Sequence, residues 1–322
     1  MFDVITFGSA TKDIFLKAEQ FTIGDFIPDP YKQKEICLPF GLKIDIDEIY
    51  FRSGGGGSNT AATFASQGLK TAYCGMVGKD EAGQDIIKEL KKRGVETKFI
   101  YQTDKKPTNL SVIFSTPKER TILTYKGASN FLDLAKLPMA QLKKTSWFYL
   151  APFGGELDKS FNSLVDFAEK NKIKLMVNLG TSQLKRADKQ FLKKIDILLL
   201  NQEEGQMLVA SPVLKEEKLM IEIKRFFPGI LILTNGALRA FVQDKQRLYA
   251  VQPTETKVLD MTGAGDAFGS GFLSAFIKTK GDIKEAMQLA VANSAACIQQ
   301  WGAKEGLLTK DEQFSKAIIH EL

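Results

Sequence analysis

Within Asp260-Met261-Thr262-Gly263-Ala264-Gly265-Asp266 stand two carboxylates and a Gly-Ala-Gly turn, and the residues that follow, through Ile277, are apolar at helical spacing. A glycine turn that opens a helix leaves several backbone N–H groups unpaired at the positive end of the helix dipole, which makes an anion site. Asp266 falls in the first turn of that helix. An isolated aspartate there simply complements the dipole. Beside an anion-binding turn it has a second use, taking the proton of a hydroxyl aligned with a bound phosphate.

The second chemical signal is Ser53-Gly54-Gly55-Gly56-Gly57-Ser58-Asn59 ahead of a helical pattern. Alone, four glycines read as a hinge. No Gly-Lys-Ser/Thr follows them, so they are not a P-loop, and they lack the spacing and strand context of a dinucleotide fingerprint. Glycines admit a ligand close to the backbone, and the Asn59 amide both donates and accepts. Both properties suit a polyhydroxylated ligand.

Composition removes other chemistries. The 322 residues contain a single histidine, His320, which excludes histidine triads and multi-histidine metal sites. Cys37, Cys74 and Cys297 are far apart, with no CxxC pair, and read as reduced buried thiols. The 44 Lys+Arg against 38 Asp+Glu give +6, spread along the chain, which argues against a nucleic-acid partner. No apolar run approaches the ~18 residues that span a bilayer, and no basic region precedes the first apolar stretch. The expectation is a cytoplasmic protein with no membrane partner.

These residues need a scaffold, and its pattern is legible. Strand candidates Val4–Gly8, Thr71–Val77, Trp147–Leu150, Leu175–Asn178, Ile195–Leu200 and Ile230–Thr234 each precede helix-compatible sequence, with helices from about Ser58 and over about Asp80–Arg93. Repeated strand-then-helix order implies an α/β fold with a doubly wound, mostly parallel sheet and helices on both faces. Ligands of such sheets bind beyond the carboxyl ends of the strands. Two regions break the alternation: about 21–53, with Ile36–Pro39 and Lys43–Phe51, and about 98–125, with strand candidates around Ile100, Val112 and Leu123. Strands without intervening helices suit a small antiparallel sheet, a lid or dimer surface inserted in one domain spanning 1–322.

Taken together, the motifs resemble those of the ribokinase-like (PfkB) carbohydrate kinase family over essentially the whole chain. Gly54-Gly55 with Asn59 is similar to the family's N-terminal glycine signature, and Asp260 to Asp266 to its C-terminal signature. Asn201-Gln202-Glu203-Glu204 resembles its Asn-x-x-Glu motif. Thr234-Asn235-Gly236 stands where the family commonly has Thr-Leu-Gly, and Gly8-Ser9 with Asp13 resembles the first-strand segment that holds a sugar hydroxyl. Arg120–Ala128 resembles a segment near the lid, although Arg120 reads equally as a solvated strand charge.

The resemblance implies an ATP-dependent kinase that phosphorylates a primary hydroxymethyl group of a sugar. Asp266 would be the general base, and the N–H groups of Gly263, Ala264 and Gly265 the anion hole. Asp13, Gly54, Gly55 and Asn59 would bind the acceptor; Asn201, Glu204, Thr234, Gly236 and Asn293 would serve the nucleotide. Asn201 and Glu204 would organise Mg²⁺ through water, and Asp260 and Thr262, with backbone from Trp301-Gly302-Ala303, would hold K⁺. Several of these have plainer readings. Asn201 and Glu204 read alone as a helix N-cap and a first-turn acid, and Asn293 as a buried helix–helix hydrogen bond.

Two departures stand out: Met261 where the family usually has Thr or Pro, and Asn235 where Leu is common. The alternative within the same chemistry is a nucleoside kinase acting on a ribose 5′-hydroxyl; from another class, a non-catalytic sugar or nucleotide sensor on the same fold. A nucleotide-dependent oxidoreductase fails because Gly263-x-Gly265 lies near the C-terminus with no acidic residue placed for a ribose. Related kinases often pair their lids, so a homodimer through the lid is expected.

Overall fold

Unbroken apolar runs mark strands covered on both faces, and Leu198-Leu199-Leu200 and Ile230-Leu231-Ile232-Leu233 are such runs. In the computed structural model, which describes residues 1–17, 22–25, 34–37, 41, 43–115, 120–185, 189–236 and 238–322, both lie inside a 10-stranded sheet. In chain order the strands are β1 (Phe2–Phe7), β2 (Thr11–Lys17), β3 (Thr22–Asp25), β4 (Lys34–Cys37), β5 (Glu48–Gly54), β6 (Thr71–Gly78), β7 (Ile100–Thr103) and β8 (Asn109–Ser115). Then follow β9 (Arg120–Tyr125), β10 (Thr145–Leu150), β11 (Lys174–Asn178), β12 (Ile197–Asn201), β13 (Ile230–Asn235), β14 (Arg239–Gln243), β15 (Leu248–Val251) and β16 (Ile319–Glu321).

The large sheet runs β7-β6-β1-β10-β11-β12-β13-β14-β15-β16. It is parallel from β7 to β13 and antiparallel over the last strands. Each central strand divides its side chains between two cores. Along β12, Leu198 and Leu200 enter one, with Phe148, Leu150 and Val177; Ile197 and Leu199 enter the other, with Tyr149, Met176 and Phe272. This is the doubly wound arrangement expected, and it sets the carboxyl ends of seven parallel strands along one edge.

Five helices position the site: α1 (Gly56–Ser66), α2 (Glu81–Lys92), α3 (Gln202–Leu208), α4 (Ala264–Lys278) and α5 (Ile283–Cys297). Helices α1 and α4 pack through small residues, with Ala62 and Ala267 in one cluster beside Cys297 and Leu307. Among the described residues no helix is long and apolar enough to cross a membrane.

The small sheet, order β5-β2-β8-β9, differs from expectation in its membership. Thr11–Lys17 belongs to it, because the chain leaves the large sheet directly after β1. The strand at Ile100 does not. Helix α2 stands between β6 and β7, so Gly75–Gly78 and Ile100–Thr103 pair in parallel as a β-α-β unit at the edge of the large sheet. Of Lys43–Phe51, only the part from Glu48 pairs, extending to Gly54 against β2. Ile36 lies in β4, which pairs with β3 in a separate two-stranded sheet, and Pro39 lies outside the described residues.

In the small sheet, directly opposed residues share a face. Arg52, Asp13, Ser111 and Thr124 form one row across the four strands, and Phe51, Ile14, Val112 and Leu123 form the neighbouring row on the other face. The sheet's tie to the large one runs through Asp80. Its carboxylate caps α2 by accepting from Gly83 N at 2.8 Å, and also accepts from Thr108 N at 2.7 Å and Thr108 Oγ1 at 2.6 Å, just ahead of β8. Asp80→Ala is expected to lower stability by about 1–2 kcal/mol, the usual value of such a cap. The check is the urea unfolding midpoint at constant m-value; an unmoved midpoint would show that the tie carries no weight.

Candidate active site

The turn before α4 has the geometry its glycines allow. Gly263, at the N-cap, has φ 81°, and a methyl group there would lie 2.3 Å from Ala303 Cβ. No side chain caps this helix, and Ala267 is the residue whose N–H returns to Gly263 O, at 2.8 Å. Ahead of it, Ala264 N donates to Met261 O at a long 3.4 Å, and open space lies beside Gly265 at the helix end.

Asp266 stands in that first turn, half-buried. Its Oδ2 accepts from Asn59 Nδ2 at 2.8 Å, and Oδ1 lies beside Gly56 at the start of α1. The two glycine motifs, 207 residues apart, thus meet at one carboxylate. Because the Asn59 amide donates to Asp266, its Oδ1 faces the other way, buried and with no partner among the described residues. Burial pushes the Asp266 carboxyl above its ordinary value, opposed by the Asn59 hydrogen bond and the charge of Lys304.

Asp13, on β2, is buried against Gly54, where a methyl group would lie 1.9 Å from Asp13 Oδ2. Only glycine leaves room for this carboxylate at the foot of the small sheet. Gly55, with φ 93°, then turns the chain into α1. Burial pushes Asp13 up to about 6, with the Asp260 and Asp266 charges adding to the rise and Ser111 and Lys304 opposing it.

Asn201 and Glu204 form a reciprocal capping box at the start of α3. Glu204 N donates to Asn201 Oδ1, and Asn201 N donates to Glu204 Oε2, both at 2.8 Å. The plainer reading of this pair is therefore realised. The surroundings add more: burial, then the Glu203 and Asp266 charges, push the Glu204 carboxyl up against the Asn201 N–H. Such an excess of negative charge fits a hard divalent cation. Among the described residues no group of three or more His, Cys, Asp or Glu would hold a metal unaided. Mg²⁺ at this end would need the oxygens of its nucleotide.

Asn201 pairs with Thr234 across the β12–β13 ladder, and Thr234 and Gly236 line a cavity of about 330 Å³. Ala264 and Gly265 line it too, and its far wall is apolar, formed by Val251, Val258, Val291 and Ile298. The cavity is an apolar slot that runs to a backbone anion site.

Comparison with known families matches residues 18–310 to the pfkB family carbohydrate kinases. The chain belongs to that family. An uncharacterized sugar kinase of Archaeoglobus fulgidus is 29% identical over 244 residues, 74% of this chain and 96% of that protein. The ribokinase of Giardia lamblia superposes with a TM-score of 0.79 at 20% identity, over 96% of this chain and 98% of that one. The adenosine kinase of Sinorhizobium meliloti gives 0.76 at 21% identity, over 96% and 97%.

In this carbohydrate kinase Asn293 does not reach the slot. Fully buried, it donates to Ala267 O at 2.8 Å and accepts from Leu308 N at 2.9 Å. Val291, Ser294 and Ala295 form the lining face of α5, with Ile298 just past its end, and Asn293 is turned away from it. At the expected K⁺ site Asp260 is engaged with Thr262 and Gly302. Asp260 Oδ1 accepts from Thr262 N at 3.0 Å and Thr262 Oγ1 at 2.8 Å, and Oδ2 accepts from Gly302 N at 3.1 Å. Those bonds already join the two loops that the cation would join. The two departures are accommodated: Met261 lines the slot, and Asn235 Nδ2 donates to Glu216 Oε1 at 2.6 Å.

Three site residues escaped the sequence reading: Arg239 and Ser294 in the slot, and buried Lys304 near Asp13 and Asp266. A lone Lys, Arg or Ser outside a motif carries no signal in a single sequence. Gly263→Ala forces a left-handed backbone and the Ala303 clash on the anion turn. It is expected to reduce turnover at least about tenfold, as a misplaced donor does, while destabilising the fold by about 1–2 kcal/mol. Steady-state kinetics beside thermal unfolding would check both; unchanged turnover would separate the turn from catalysis.

Proposed function

We propose that the protein is an ATP-dependent kinase, working as one domain over residues 1–322, that phosphorylates a primary hydroxymethyl group of a free sugar. The observation that carries this reading is the Asn59–Asp266 hydrogen bond. It sets a polar acceptor group with an open oxygen beside a carboxylate at an uncapped helix N-terminus.

In this reading Asp13 and Asn59 hold sugar hydroxyls, with Gly54 and Gly55 giving them room. Asp266 takes the proton of the hydroxyl that attacks the γ-phosphorus. As the new P–O bond forms, the bond to the bridging oxygen breaks and ADP leaves. The N–H groups of Gly263, Ala264 and Gly265 stabilise charge on the transferred group. Thr234 and Gly236 would flank the nucleotide, and Asn201 and Glu204 would hold Mg²⁺ through water. When bound, the metal would neutralise phosphate charge.

A free sugar is favoured over a nucleoside because the aromatic side chains near Asp13 are engaged with one another. Tyr50 stacks on Trp301 at 5.1 Å, and Phe15 meets the same ring edge-on at 5.8 Å. The polar groups beside Asp266 remain for hydroxyls. The ribokinase and adenosine kinase neighbours support an acceptor of one kind or the other.

Asp266→Asn is expected to lower turnover by roughly 10²–10⁴-fold with folding intact, the range of a lost general base. Near-normal turnover would remove the base. Mg²⁺-dependent ADP release across ribose, fructose, adenosine, cytidine and guanosine would select the acceptor; sugar binding without any turnover would leave the sensor. The apolar outer row, with Phe51 53% and Leu123 57% exposed, supports a homodimer through the lid. Sedimentation would then show a dimer that Phe51→Asp converts to monomer, and a dimer insensitive to that change would count against the lid.

A further inference from the structure

Lys304 is the only buried lysine or arginine among the described residues. Isolated burial of an ammonium is unfavourable by several kcal/mol, and an apolar side chain would fill the same space without that penalty. The surroundings define what the charge does. Trp301 O, three residues earlier, accepts from Arg52 Nε at 3.0 Å, so the loop is clamped to β5. Lys304 Nζ donates to Ser53 Oγ at 2.6 Å, and Ser53 Oγ donates to Glu89 Oε2 of α2. Glu89 also accepts from Arg93 Nε at 2.9 Å, while Arg93 Nη1 donates back to Lys304 O at 3.1 Å and Nη2 to Glu305 at 3.2 Å. The ammonium is held in one place, on the residue before Gly54, against which Asp13 lies.

We propose that Lys304 is a positioning residue for the acceptor: its ammonium, fixed on Ser53 at the foot of the lid, keeps Asp13 a carboxylate able to accept sugar hydroxyls. The inference rests on the reading of Asp13 as the acceptor anchor. The groups facing Asp13 are Lys304 from the loop after α5, Asp260 from the loop before α4, Asp266 from α4, the Ser111 hydroxyl from β8, and Arg52 opposite it on β5. Those facing Lys304 are Glu89 and Arg93 of α2, Asp13 and Glu305. The Lys304 charge lowers the Asp13 carboxyl, against burial and two carboxylates. With that carboxyl at about 6, loss of the ammonium carries its titration toward neutrality. More of Asp13 is then protonated at pH 7, where it offers a donor in place of an acceptor.

The test is a ¹³C-carboxyl titration of Asp13 in the full-length protein, with no sugar present, for wild type, Lys304→Met and Glu89→Gln. Alongside it, kcat and acceptor KM are measured from pH 5 to 9 with the sugar that gives most ADP release. Lys304→Met is expected to move the Asp13 midpoint up by about one pH unit and to raise KM at pH 7 about tenfold, with kcat, which the same charge reaches through Asp266, falling by less than KM rises. Glu89→Gln removes the carboxylate that most favours the Lys304 ammonium, whose titration burial brings down to about 8, so it moves the Asp13 midpoint up by a smaller amount, and it carries the test if Lys304→Met does not fold. An unmoved midpoint in folded variants, or kcat falling as far as KM rises together with lowered stability, makes Lys304 a structural strut and overturns the inference. Asp13→Asn separates the two claims. If it leaves KM unchanged, Asp13 is not the anchor; if it raises KM while Lys304→Met does not shift the midpoint, only the role of Lys304 fails.

Discussion

One hydrogen bond organises the cleft, from Asn59 Nδ2 to Asp266 Oδ2 at 2.8 Å. It fixes the Asp266 carboxylate at the mouth of the glycine turn and, because an amide donates from one side and accepts on the other, it also fixes where the free Asn59 oxygen points. The bond exists only because α1 and α4 approach closely, and they do so through glycine and alanine. Ala62 and Ala267 share a cluster, and Gly56 lies beside Asp266 Oδ1. Bulkier residues on either helix would separate the acceptor side from the phosphate side by more than a hydrogen bond can span.

The same constraint explains why the small sheet carries acceptor groups. Chain leaving β1 becomes β2 after three residues, and chain leaving β5 becomes α1 after one. Asp13 and Gly54 are therefore tied on one side to the small sheet and on the other to the strand and helix that frame Asp266. Movement of that sheet would carry Asp13 while leaving the anion turn, held by α4 and α5, in place. The Arg52 and Trp301 contacts oppose such movement, since they join β5 to the loop that follows α5. In the proposed reaction that coupling would make acceptor binding and alignment of the phosphate site parts of one event.

Much of this was legible in the sequence, for definite reasons. Apolar runs followed by helical patterns specify a covered parallel sheet, so the large sheet and its loaded edge follow from residues such as Leu198–Leu200. Glycine motifs are legible because function there needs backbone, which only glycine permits. The small sheet was less so. Ile100 and Val112 look alike as short apolar strands, and only the α2 crossover sends the first to the large sheet. Of the two readings of Asn293 the structure displays the buried hydrogen bond, because helical phase is decided by packing: a residue 100° around α5 from Ser294 bonds Ala267 and Leu308. Lys304 was invisible, since its burial arises from contacts with residues more than 200 positions away, Ser53 and the carboxylates beyond it.

The pattern of charge bears on how the cleft can work with almost no histidine, His320 being set in β16 opposite Ala250 at the antiparallel edge of the large sheet. Burial raises three carboxyls here, Asp13, Glu204 and Asp266, and each meets one hydrogen bond that favours its ionised form, from Ser111, Asn201 and Asn59 respectively. A carboxylate in bulk water is a weak base; desolvated and lightly stabilised, it becomes basic enough to take a proton from a hydroxyl near neutral pH. The balance must not go further, because a carboxyl raised past neutrality would be protonated before the reaction began. Lys304 opposes that rise at both Asp13 and Asp266. One buried ammonium outside either glycine motif thereby acts on both the residue proposed to hold the acceptor and the residue proposed to deprotonate it, and the two ionisations respond together to a single charge.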